Sequence, residues 1–116
     1  MLIRRLEFCE EITANDGCRL RELLHPDRHP ADIRYSLAVA LLEPGQSSLK
    51  HVLDHTEVYY VIRGSGTMHV GGEARRVEPG DAVYIPAGEE QWLENDGADA
   101  IEFVCIVDPA WSPDAE

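Results

Sequence analysis

The sequence predicts an all-β fold, a single sandwich or barrel, on three observations. Turn signals recur through the second half of the 116-residue chain: Pro44-Gly45, Gly64-Ser65-Gly66, Gly71-Gly72, Pro79-Gly80-Asp81, Pro86-Ala87-Gly88 and Asn95-Asp96-Gly97. Between them lie short segments rich in Val, Ile, Tyr, Phe and Trp. That rhythm marks an all-β sandwich or barrel. Prolines fall only between the segments, as a hydrogen-bonded ladder requires.

The elements follow in order. Residues 1–34 form an N-terminal arm. In it Asn15-Asp16-Gly17 is a turn, residues 18–24 a strand or short helix, and residues 25–30 a proline-rich loop. Strands are expected over residues 35–42, 46–53, 57–63, 66–70, 73–77, 82–85, 91–94 and 100–107. Val58-Tyr59-Tyr60-Val61-Ile62 and Phe103-Val104-Cys105-Ile106-Val107 are apolar on both faces. Such strands are buried on both sides, or are covered by a second subunit. Residues 35–108 therefore make the barrel. Residues 109–116, with Pro109 and Pro113, make a tail that packs through Trp111 or frays.

Composition bounds the partners. A chain of this length is one domain, and folding should bury roughly 65% of its unfolded surface. The formal charge is −12, from 22 acidic and 10 basic residues. This disfavours nucleic acid and anionic membrane, which need Lys and Arg to neutralise phosphate. Cys9, Cys18 and Cys105 are an odd set without C-x-x-C spacing, so reduced thiols in a cytoplasmic protein are expected. No apolar segment suits a signal peptide or a membrane helix.

Two stretches carry the chemistry. The first runs from Gly45 through His51, Leu53, His55 and Glu57 to Gly64. The second runs from Gly80 through Pro86, Gly88 and Gln91 to Asn95. In one straight strand, at ~3.3 Å per residue, His51 and Glu57 would lie about 20 Å apart. For them to converge the chain must fold back between them, and Asp54-His55-Thr56 supplies the turn residues.

Together the two stretches resemble the paired signature of the cupin superfamily, G-x5-H-x-H-x3,4-E-x6-G and G-x5-P-x-G-x2-H-x3-N. The resemblance implies a double-stranded β-helix, a jelly-roll barrel, pairing as a homodimer. It also implies one divalent transition metal (Fe, Mn, Ni, Co or Zn) at the barrel mouth. His51 matches the first ligand histidine and Glu57 the carboxylate. Leu53 stands where the second histidine belongs, and Gln91 where the last one does. An amide oxygen binds a hard cation but is a weak ligand for a transition metal.

His55 is the replacement candidate. If the turn aims it inward, His51, His55 and Glu57 make the two-histidine, one-carboxylate set of non-haem iron enzymes. Otherwise it is a solvated turn residue. Tyr59 shares the face of Glu57 and is the candidate proton donor if the protein turns over a substrate, as a metal-dependent dioxygenase or isomerase. The alternatives are a metal-free module for a sugar-like or organic-acid ligand, and a structural or regulatory dimer. His69 and Trp92 are expected to face outward, His25 and His29 to lie on the surface, and Cys105 to be a small buried hydrophobe.

Overall fold

A computed structural model describes residues 1–116. Ten strands form two antiparallel sheets. They are β1 (Glu11–Thr13), β2 (Arg19–Leu24), β3 (Ser36–Leu42), β4 (His51–Val52), β5 (Thr56–Arg63), β6 (Gly66–Val70), β7 (Glu73–Val77), β8 (Ala82–Ile85), β9 (Glu90–Glu94) and β10 (Ile101–Asp108). The six-stranded sheet has the order β1-β2-β3-β10-β5-β8 and the four-stranded sheet the order β4-β9-β6-β7. Neighbours such as β3-β10-β5 are far apart in sequence, which is the crossed connectivity of a jelly roll.

The core lies between the sheets. Along β3 and β10 burial alternates strictly, with Ala38, Ala40, Leu42, Ile101, Phe103, Cys105 and Val107 inward. This is the period of two that sends successive side chains to opposite faces. Tyr59 packs on Phe103 with ring centroids 4.6 Å apart. Met68, Val77 and Leu93 close the core from the other sheet.

At Gly66 the backbones approach so closely that no side chain fits. A Cβ there would collide with the Glu94 carbonyl oxygen and lie 2.7 Å from Ile101 Cδ1. Asn95 pins the adjacent corner. Its Nδ2 donates to the carbonyls of Leu42 (3.0 Å) and Asp99 (2.9 Å), and its Oδ1 accepts from Gly97 N (3.1 Å).

The strand expected over residues 46–53 is reduced to His51–Val52. Residues 46–48 still run beside β9, joined by Asn95 N to Gln46 O (2.9 Å) and Ser48 N to Leu93 O (2.8 Å). Leu93 N, however, donates to the Ser48 hydroxyl (2.8 Å). A side chain thus takes a ladder position that a carbonyl would otherwise fill.

Residues Arg19–Leu24 are a strand rather than a helix, and the N-terminal hairpin extends the large sheet along β3. His25 is not a surface residue. It is 2% exposed, its Nδ1 accepts from Asp27 N (3.1 Å), and its Nε2 faces the Trp111 carbonyl (2.8 Å). With Nδ1 as acceptor, the ring is the neutral Nε2–H tautomer donating to Trp111. The loop's polarity misled because its partner lies 86 residues away.

His69 does face outward from β6, opposite the buried Met68. It stacks on Trp92 at 3.6 Å, with Nε2 2.8 Å from Glu94 Oε1. The outer face of the large sheet is also apolar. Tyr60, Ile62 and Tyr84 are exposed there, with Val58, Val104 and Ile106 half-buried among them. The doubly apolar strands are therefore not buried on both sides within one chain.

Candidate functional site

The inner face of the six-stranded sheet lines a cavity of about 410 Å³. Its apolar wall includes Ala38, Ala40, Phe103 and Val107. The N-terminal hairpin forms its roof, with Asp16, Cys18 and Leu20 on the lining. Alternation along β2 and its preceding turn carries this signal: Cys18 and Leu20 point one way, Arg19 the other.

Glu57 and Tyr59 reach the cavity from β5, two residues apart and on one face. Gln91 stands behind them on β9, 1% exposed. The Tyr59 hydroxyl donates to Gln91 Oε1 at 3.2 Å. That fixes the amide's orientation and leaves Nε2 as its free donor. Neither Gln91 Nε2 nor Glu57 Oε1 closes a hydrogen bond, although both are buried.

Electrostatics follow from this burial. The Glu57 carboxyl is pushed up to about 8 by desolvation, against the opposing pull of the Gln91 amide. The carboxylates of Asp16 and Glu116 add to the rise. Burial likewise pushes the Tyr59 hydroxyl well up, and the Cys18 and Cys105 thiols with it. Both thiols hold their protons and are poor nucleophiles. The Tyr59 proton is directed at Gln91 rather than at the cavity.

The expected metal set is only partly brought together. The chain does fold back between β4 and β5, and His51 is the register partner of Gln91. Yet half-buried His51 places its Nδ1 3.0 Å from the Leu49 carbonyl, and the ring is not on the cavity lining. His55 does not line the cavity either; its Nδ1 is buried without a partner. Leu53, in the second histidine's place, is 2% exposed and packs with Val107 and Ala115 under Trp111. No group of three or more His, Cys, Asp or Glu side chains is placed to hold a metal ion. His51, His55 and Glu57 thus make no such group: Glu57 lines the cavity and neither imidazole does. These residues do not fit the transition metal that the resemblance implies.

Known proteins place this barrel. Residues 38–107 match the Cupin domain family. An uncharacterized protein of Methanocaldococcus jannaschii is 35% identical over 98 residues, 84% of this chain and 78% of its own. The oxalate-binding protein of Thermotoga maritima is 31% identical over 67 residues, and the match spans 57% of this chain and about half of that protein (55%). Among solved structures, a Cupin 2 conserved barrel domain protein from Salinispora arenicola superposes with a TM-score of 0.80 at 20% identity. The alignment covers 99% of this chain and 92% of that one. The family match over residues 38–107 and the shared jelly roll agree, and this chain belongs to the cupin family.

Proposed function

We propose that this protein is a metal-free binding module that takes a small organic molecule into the barrel cavity. One observation carries the reading. The cavity combines an apolar wall from Ala38, Ala40, Phe103 and Val107 with polar and charged side chains, Glu57 and Tyr59 among them, while Leu53 fills the place of a ligand histidine. Pockets of this size and lining suit small ligands. A small-molecule ligand also agrees with the name of the oxalate-binding relative. The role of Tyr59 in this reading is positional: it orients Gln91 beside Glu57.

Elemental analysis of untagged protein, purified without chelator and then offered Fe, Mn, Ni, Co or Zn, tests the reading. Protein that stays metal-free while its melting temperature rises with small-molecule ligands supports it. A stoichiometric metal that is lost in His51→Ala would overturn it in favour of a metal centre drawn from His51, His55, Glu57 and Gln91.

The partners follow the same reading. The charge of −12 argues against nucleic acid and anionic membrane. No helix is long and apolar enough to cross a membrane. Three free cysteines suit the reducing cytoplasm. The apolar outer face of the large sheet fits a second copy of the chain, giving a homodimer in which Tyr60 and Tyr84 lose their exposure.

A further inference from the structure

The charges around the cavity are unevenly compensated. Two guanidiniums line it, Arg4 and Arg28, and both are held at the end of β2. Arg28 pairs with the Glu22 carboxylate, and Arg4 donates to the carbonyls of Leu23 (2.6 Å) and Glu22 (3.4 Å). His29 also lines the cavity; its Nδ1 accepts from His25 N at 3.0 Å. Four further carboxylates face the same space with no cationic partner: Glu10, Asp16, Glu57 and Glu116. Asp16 accepts from Cys18 N (3.0 Å) and Glu116 from the Asn15 amide (2.6 Å), both neutral donors. Arg4 is likewise without a carboxylate partner, so the acids outnumber the cations without cancelling them; a concave site with such an excess concentrates ligands of the opposite sign.

A second observation points to where a ligand would sit. Glu57 is 7% exposed, lines the cavity, and its Oε1 has no hydrogen-bond partner. A buried acceptor left unpaired costs about 1–3 kcal/mol, more when charged. A ligand donor removes that cost, and a cationic donor also favours the ionised carboxylate that burial opposes, making the bond charge-assisted. Around Glu57 the wall is methyl and ring surface from Ala38, Ala40 and Phe103, which suits a hydrocarbon body.

From this we infer that the cavity binds an organic ammonium ion with an apolar body, an arylalkylamine in size and shape. Its ammonium group donates to Glu57 Oε1, in the field of Asp16 and Glu116. The inference rests on the metal-free binding reading and names its ligand class. It also separates this chain from its oxalate-binding relative, since a dianion would meet an excess of carboxylates.

The test is calorimetric titration of the full chain with three probes that share one body: 2-phenylethylamine, 2-phenylethanol and 3-phenylpropionate. The amine is expected to bind about tenfold or more tighter than the alcohol, a difference of about 1.4 kcal/mol. The carboxylate is expected to bind weakest. Raising the salt concentration should weaken the amine and spare the alcohol. In Glu57→Gln the amine should lose about tenfold or more and the alcohol clearly less, so that the gap between them closes. Asp16→Asn and Glu116→Gln, which keep their neutral hydrogen bonds, should each weaken the amine about two- to fivefold if the field contributes. Equal binding of amine and alcohol, or tightest binding of the carboxylate, overturns the amine assignment and leaves the binding module standing. No binding by any of the three overturns both.

Discussion

The Tyr59 hydroxyl donates to Gln91 Oε1 at 3.2 Å, and this one bond sets the polarity of the barrel interior. It turns the amide's NH2 to the side of Glu57, where its pull favours the charged carboxylate. A histidine at position 91 would change both the charge and the donor pattern of that wall. The substitution therefore reorganises the site as well as removing a ligand.

Stability should depend on pH through Glu57. Burial raises its pKa from 4.5 to about 8 in the fold, so the folded state holds this proton more tightly than the unfolded chain. The contribution is full below the unfolded value and is lost as pH rises through the folded one. The slope in that window is about 1.4 kcal/mol per pH unit. Urea midpoints measured from about pH 5 to about pH 9 should fall for the native chain and stay flatter for Glu57→Gln. Parallel curves for the two proteins would exclude Glu57 as the cause.

Restoring the missing ligands should create a metal site. Leu53 lines the cavity with Glu57, and Gln91 stands behind it. The double variant Leu53→His, Gln91→His is expected to gain stoichiometric Ni or Zn, read by elemental analysis and by a metal-dependent rise in melting temperature. Failure to gain metal in a folded double variant would show that positions 53, 57 and 91 do not converge on one ion.

Gly66→Ala should be severely destabilising. The added methyl would drive into the Glu94 carbonyl, which is backbone of the paired strand β9 and has little room to yield. A loss of about 3 kcal/mol or more in chemical denaturation is expected, in the range reserved for such named clashes. A loss below about 1 kcal/mol would mean that β6 and β9 part easily.

Asn95→Ala should cost about 2–4 kcal/mol, since it strips the side-chain donor from the buried Leu42 carbonyl and opens the 95–99 corner. Asn95→Asp should not rescue it, because a carboxylate has no NH2 to donate. Rescue by aspartate would contradict the hydrogen-bond assignment.

The homodimer is checked by light scattering after gel filtration. Tyr60 lies at the centre of the outer face, opposite Val104 on β10 and Ala82 on β8. Tyr60→Glu should convert dimer to monomer with the far-UV spectrum unchanged. A native chain that is monomeric at all accessible concentrations would remove the second copy from this face.

Much of the fold was legible because turn chemistry is local. The strands Gly66–Val70, Glu73–Val77 and Ala82–Ile85 have the bounds their flanking glycines and prolines predict. The shared inward face of Glu57 and Tyr59 follows from the period of two, as does the outward face of His69. The orientation of His51 was not legible. It depends on β4 ending after two residues and on a carbonyl at Leu49 that takes up Nδ1. The burial of His25 depends on Trp111, and the acid lining of the cavity on Asp16 and Glu116 from opposite ends of the chain. None of these long-range contacts leaves a mark in local spacing.

The cavity's roof has a consequence for how the protein diverges from its kin. Asp16, Cys18 and Leu20 belong to the N-terminal hairpin, outside the 38–107 span that the family shares. Part of the cavity lining is thus written outside the stretch that carries the scaffold. Mutation can rewrite the hairpin without touching the glycines and asparagine that shape the barrel. Exchanging the first 34 residues between two such proteins should then shift ligand preference through the roof alone, with Glu57 and the host barrel's architecture left in place.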